Sequence, residues 1–161
     1  NLPAHITAAT GIDAMVHAIE AYTSKIKKNP YADMLAKQAL KLLNQNLSLV
    51  LADGQNLAAR QNMLVGSMLA GQAFANAPVG AVHALAYPLG GHFHISHGHS
   101  NALVLIEVLK FKYSQKNLYQ YMNKTYDQHN NKYLLLSRLI QILIFLMLSH
   151  IPAFRQIFLI L

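Results

Sequence analysis

Apolar positions recur with a helical period from early in the chain. Ile12, Met15, Val16, Ile19 and Tyr22 are spaced by threes and fours, which predicts a helix running to about Ser24. Thr10 reads as its N-cap, with Asp13 three residues on in a capping-box-like position. Asp13 and His17, four residues apart, then project from one face a turn apart. After a lysine-rich loop (Lys25, Lys27, Lys28), Asn29-Pro30 supplies a cap and a first-turn proline. The second predicted helix carries Met34, Leu35, Ala39, Leu40 and Leu43 and frays at Asn44-Gln45-Asn46. Asp53-Gly54 marks a turn. The third is expected from about Gln55 to Ala77, with Leu57, Leu64 and Met68 on one face. Its small residues, Gly66, Ser67, Ala70, Gly71, Ala73, Ala75 and Ala77, let another helix approach closely.

Pro78 and Gly80 end that pattern. A short fourth helix carries His83 and is expected to be interrupted by Pro88, Gly90 and Gly91. A loop then delivers His97, and a fifth helix begins near Ser100 or Asn101 with Leu103, Val104, Ile106, Val108 and Leu109. No strand alternation is found, so the predicted class is all-α, a helical bundle. Tyr113 to Tyr133 is rich in Tyr, Asn, Gln and Lys, and Leu134 to Leu161 is mostly aliphatic. Residues 113–161 therefore form a separate compositional segment.

Composition narrows the function classes. A hydrophobic content of 53% with 12% charged residues over 161 residues excludes a disordered chain and suits one domain. The absence of cysteine excludes disulfides, zinc fingers and iron–sulfur sites, leaving nitrogen and oxygen ligands for any metal. The net charge of +7 is spread along the chain without a nucleic-acid recognition motif, so no nucleic-acid partner is expected. Leu139 to Leu148 is broken by Gln141 and falls short of the ~20 apolar residues of a spanning helix. It reads as a core helix, and no membrane partner is expected. The start has no basic region followed by an apolar run, so no signal peptide is expected and the localisation read is cytoplasmic.

Candidate chemistry concentrates in Gly80 to Asn101, which holds His83, His92, His94, His97 and His99, five of the nine histidines. The Asp13/His17 pair, joined by His83 and His97, makes one carboxylate and several imidazoles. Such a set suits Fe(II), Zn(II) or a similar first-row ion. An Asp-x-x-x-His pair also occurs as capping or surface residues, and a His-rich loop as a solvated turn. His92 and His94, flanking Phe93, are expected to point away. His5, His129 and His150 receive no role.

Two stretches carry a family resemblance. TGIDAMVHAIEAY (Thr10 to Tyr22) resembles the helix that opens the C-terminal domain of iron-containing (group III) alcohol dehydrogenases. GQAFANAPVGAVHALAYPLGGHFHISHGHSNALVL (Gly71 to Leu105) is similar to the second signature of that family. The Asn29-Pro30 helix, Ala58-Ala59-Arg60 and Met68-Leu69-Ala70-Gly71 match the run between them, so the resemblance covers about residues 1–112. It implies a metal held by Asp13, His17, His83 and His97, with Thr10, Gly11, Phe74, Asn76 and Gly90 in stretches that line the cleft. Tyr87 stands where many members have a second histidine, which bears on proton handling. Ser96 replaces the usual proline before the last ligand, and His99 stands where an aliphatic residue is commoner. His99 is read as a surplus ligand, a proton carrier or a surface residue.

The resemblance implies a metal-dependent oxidoreductase. Fe(2+), or Zn(2+), activates a small alcohol or aldehyde, hydride passes to or from NAD or NADP, and Tyr87 or a water relays the proton. No glycine-rich phosphate loop is found, so the family's nucleotide-binding domain is expected to be missing here and supplied in cis or in trans. The chain is then expected to be the metal-binding half, with little turnover alone; an oligomer is left open. The alternative is a non-catalytic helical metal-binding remnant of a truncated dehydrogenase gene. A metal-dependent hydrolase is disfavoured, because neither Glu20 nor Glu107 is placed as a general base.

Overall fold

Helix α1 (Ala4–Tyr22) is buried around most of its circumference: Ala8, Ala9, Ile12, Ala14, Met15, Val16, Ala18, Ile19 and Ala21 are all inside. A helix that is apolar all round belongs in the middle of a structure. The computed structural model describes residues 2–114, with side chains to residue 112. By compactness the chain divides into Asn1–Val108 and Leu109–Leu161. The polar run from Tyr113 to Tyr133, apart from its first two residues, and the apolar run Leu139 to Leu148 lie outside the described residues.

Four further helices follow: α2 (Pro30–Ala52), α3 (Leu57–Asn76), α4 (Ala81–Phe93) and α5 (His97–Ser114). Among the described residues there is no strand, as the all-α expectation required. None of these helices is long and apolar enough to cross a membrane.

Asn29 caps α2 as expected, accepting the Ala32 N–H at 2.8 Å with Pro30 in the first turn. Asn56 caps α3 in the same way, accepting from Ala59 N–H at 3.0 Å. Four boundaries differ from the sequence reading. Thr10 is not an N-cap but sits inside α1, where its hydroxyl donates to the Ile6 carbonyl at 2.9 Å. A threonine can satisfy its hydroxyl within a helix as well as at its end, and here Pro3 starts the helix instead. Helix α2 does not fray at Asn44-Gln45-Asn46. Asn46 is buried, donates to the Leu42 carbonyl at 2.8 Å and accepts from Asn62 on α3 at 3.1 Å. Helix α4 runs through Pro88 to a left-handed cap at His94 (φ 55°), and α5 starts at His97, three or four residues before its expected start.

Helices α1, α2 and α3 pack on one another. On α3 the small-residue face is the buried one, through Ala59, Gly66, Ala70 and Ala73. Leu57, Leu64 and Met68, which share the opposite side, are exposed. Arg60 ties the start of α1 to α3, donating to Thr7 Oγ1 at 3.0 Å and to the Leu2 carbonyl at 3.1 Å.

The start of α5 lies backbone-to-backbone against α1. A β-carbon on Gly98 would stand 2.0 Å from the Ala9 carbonyl oxygen. Gly98→Ala is therefore expected to destabilise the protein by about 1–3 kcal/mol. Gly71→Ala in α3, where an added β-carbon meets nothing within 4 Å, is expected to be neutral or stabilising by up to about 1 kcal/mol. Urea unfolding followed by circular dichroism measures both.

Candidate metal centre

The centre is built by three helices. Helix α1 presents Asp13 and His17 from one face, α4 contributes His83 from its first turn, and α5 contributes His97 as its first residue. One ligand atom from each of Asp13, His17 and His83 lies within 4.8 Å of the others. His83 Nε2 is 3.5 Å, and His97 Nε2 3.4 Å, from Asp13 Oδ1. Donors about 2.1 Å from one tetrahedral ion stand about 3.4 Å apart, so these separations are those of atoms that can share a cation. One carboxylate and neutral imidazoles, with no sulfur, form a donor set for a first-row divalent ion.

The rings form a wall. His17 is stacked between Phe74 on α3, 4.5 Å centroid to centroid, and His83, 4.6 Å away. Tyr87 lies nearly parallel to His97 at 5.6 Å, on the exposed side of the site. Burial lowers the His17 pKa from its ordinary value; the Asp13 carboxylate opposes this, while His83 and His97 reinforce it. His17 is thereby held neutral, with a lone pair available, at neutral pH.

Two residues missed by the sequence reading complete the centre. Glu20 on α1 is 1% exposed, and its Oε2 accepts from His83 Nδ1 at 2.7 Å. With its proton on Nδ1, His83 turns the bare Nε2 toward Asp13, the arrangement a ligand histidine needs. The same carboxylate accepts the Val82 backbone N–H at 2.8 Å, and Gly80, the N-cap of α4, has no side chain to offer it. Asn101 on α5 is fully buried and donates from Nδ2 to Asp13 Oδ1 at 2.6 Å. The signals were legible in principle. Glu20 stands seven residues after Asp13 on the same stripe, and Asn101 four after His97.

Among the described residues, His5, His92, His94 and His99 do not join this donor group; His129 and His150 lie outside the described residues. His92 and His94 are exposed, as expected. His99 turns its Nδ1 to Ser96 Oγ at 2.6 Å, and its Nε2 is buried without a hydrogen-bond partner. Burial, and secondarily His5, lower its pKa. Thr10 and Gly90 make helix-internal backbone contacts, and Asn76 bonds back to Gln72.

Comparison with known proteins identifies the family. Residues 7–140 match the profile described as Fe-containing alcohol dehydrogenase family, C-terminal. The chain belongs to that family. Long-chain-alcohol dehydrogenase 1 of Geobacillus thermodenitrificans is 51% identical over 111 residues, covering 69% of this chain and 28% of the relative. The alcohol dehydrogenase from Oenococcus oeni superposes with a TM-score of 0.71 at 36% identity, over 92% of this chain and 38% of that one. Sulfoacetaldehyde reductase from Bifidobacterium kashiwanohense, solved in complex with NAD+, gives 0.67 at 34% identity, over 70% and 30%. The chain thus spans less than a third of the length of the curated relatives it matches.

Glu20→Gln is expected to weaken divalent-metal binding by about 10–100-fold, measured by chelator competition, because the carboxylate that fixes the His83 tautomer is lost. A pH effect follows from His17. Its folded-state pKa lies below the ordinary value of 6.5, so the unfolded chain takes up a proton first as pH falls. Stability of the metal-free protein is then expected to be highest above pH about 6.5 and to decline below it. Urea midpoints between pH 8 and pH 5 check this, and His17→Gln should flatten the decline.

Proposed function

We propose that this chain is the metal-binding part of an NAD(P)-dependent alcohol dehydrogenase acting on a small alcohol or the corresponding aldehyde. The observation that carries the reading is the meeting of ligand atoms of Asp13, His17 and His83 within 4.8 Å of one another, with His97 Nε2 3.4 Å from Asp13 Oδ1. Family membership and the names of the alcohol dehydrogenases it matches support it. Fe(2+) is the ion the family name favours, and Zn(2+) fits the same donors. A bound ion of this kind supplies Lewis acidity to a substrate hydroxyl or carbonyl oxygen, which promotes hydride exchange with a nicotinamide.

The chain's own residues supply positioning and proton handling. Asp13 adds the negative charge, and the stacked rings of Phe74, His17 and His83 hold the imidazoles against rotation. Tyr87, half open to solvent beside His97, stands where a phenol can relay the substrate proton outward, alone or through a water. NAD or NADP would be held by a nucleotide-binding domain in cis or in trans. We assign residues 1–112 to the metal-binding helical domain and 113–161 to a diverged segment, in a cytoplasmic enzyme.

A second reading, from a different class, is a non-catalytic helical metal-binding remnant. Metal analysis of protein purified without oxygen tests the centre. About one equivalent of ion is expected, and Asp13→Ala should lose it; unchanged retention in that variant would sink the site. Activity then separates the two readings. The chain alone is expected to show little turnover, and a nucleotide-binding domain of the family added in trans should raise it if this is an enzyme part. The remnant reading predicts no gain.

A further inference from the structure

We propose that Asn101 is a positioning residue of the metal centre, fixing the Asp13 carboxylate through a donated N–H so that its remaining lone pairs face the ion. This rests on the metal-binding reading above. Nδ2 of Asn101 lies 2.6 Å from Asp13 Oδ1, 3.3 Å from His83 Nε2 and 3.3 Å from His97 Nε2. The amide therefore stands at the point where three of the four donors converge.

Lone-pair accounting decides which of these contacts coexists with an ion. A neutral imidazole nitrogen without a proton offers one lone pair, and an ion would use it. A carboxylate oxygen offers two, so Asp13 Oδ1 accepts from Asn101 and still serves a cation. The contact compatible with both partners is also the shortest. It restrains the one anionic donor, whose side chain otherwise has freedom to turn about its terminal bond.

Nothing else in the described structure accounts for a fully buried amide here. Asn101 Oδ1 is buried without a hydrogen-bond partner, so the polar contacts of this side chain lie at the metal donors. Its placement is set by backbone. His97 and Asn101 are one turn apart on α5, and the first turn of α5 is held against α1 at Gly98 and Ala9.

Cobalt(II) serves as the probe, because its ligand-field bands report coordination geometry. In the full chain, Asn101→Ala is expected to weaken Co(II) binding about 10–100-fold and to change the band shape. Asn101→Ser, which keeps a short donor, should recover part of both. An alanine variant that binds within about twofold of the parent with the same bands would overturn the proposal, and so would a serine variant no better than alanine. Failure of the parent chain to bind Co(II) would instead overturn the metal-binding reading. Should Asn101→Ala not fold, nitrogen-15 NMR of the parent decides. One Asn101 side-chain proton should exchange slowly and lie downfield, and lose both properties in Asp13→Ala. Exchange at the rate of an exposed amide would refute the bond to Asp13.

Discussion

The buried carboxylate of Glu20 is the interaction on which the site depends. A carboxylate removed from water is costly unless its charge and lone pairs are matched, and here α4 does the matching. The Val82 N–H and the His83 ring N–H both point at it. One side chain on α1 therefore starts a second helix, orients its histidine and chooses that histidine's tautomer. Glycine at the N-cap position makes the arrangement necessary as well as sufficient, because Gly80 has no side chain to cap the helix itself. The room beside it is also limited: a β-carbon on Gly80 would stand 3.3 Å from Glu20 Oε1.

Rigid placement of the other candidate ligands has a different origin. Asp13 and His17 ride on a helix that neighbours enclose on nearly every side, so their backbone positions are fixed by packing. Small residues on α3 let the three packed helices come close, while Leu57, Leu64 and Met68 stay outside. Phe74 reaches from the same helix to stack on His17. The centre thus combines a carboxylate and an imidazole set by packing with a second imidazole set by a hydrogen bond and a third set at a helix start.

What the sequence shows of this depends on whether the deciding contact is local. The Asn29-Pro30 cap and the Asp13/His17 pair depend on neighbours within one helical turn, and both were legible. Thr10 misled because a hydroxyl is as content inside a helix as at its end. Asn44-Gln45-Asn46 misled because the partner that keeps Asn46 helical, Asn62, lies on another helix. Glu20 is visible on the stripe of Asp13 and His17, but nothing local to it marks it as the support for His83 on another helix. Asn101 resembled a helix-starting residue until α5 proved to begin at His97. For Asn46, Glu20 and Asn101 the missing information was a contact between helices.

The crossing of α5 over α1 has its own consequence. Because the two backbones touch at Gly98 and Ala9, the distance between the helix carrying His97 and the helix carrying Asp13 is governed by main-chain atoms, which cannot change rotamer. Sequence drift among the surrounding side chains can alter packing without opening that gap. A single hydrogen atom in place of a side chain at position 98 acts as the spacer that sets the width of the site.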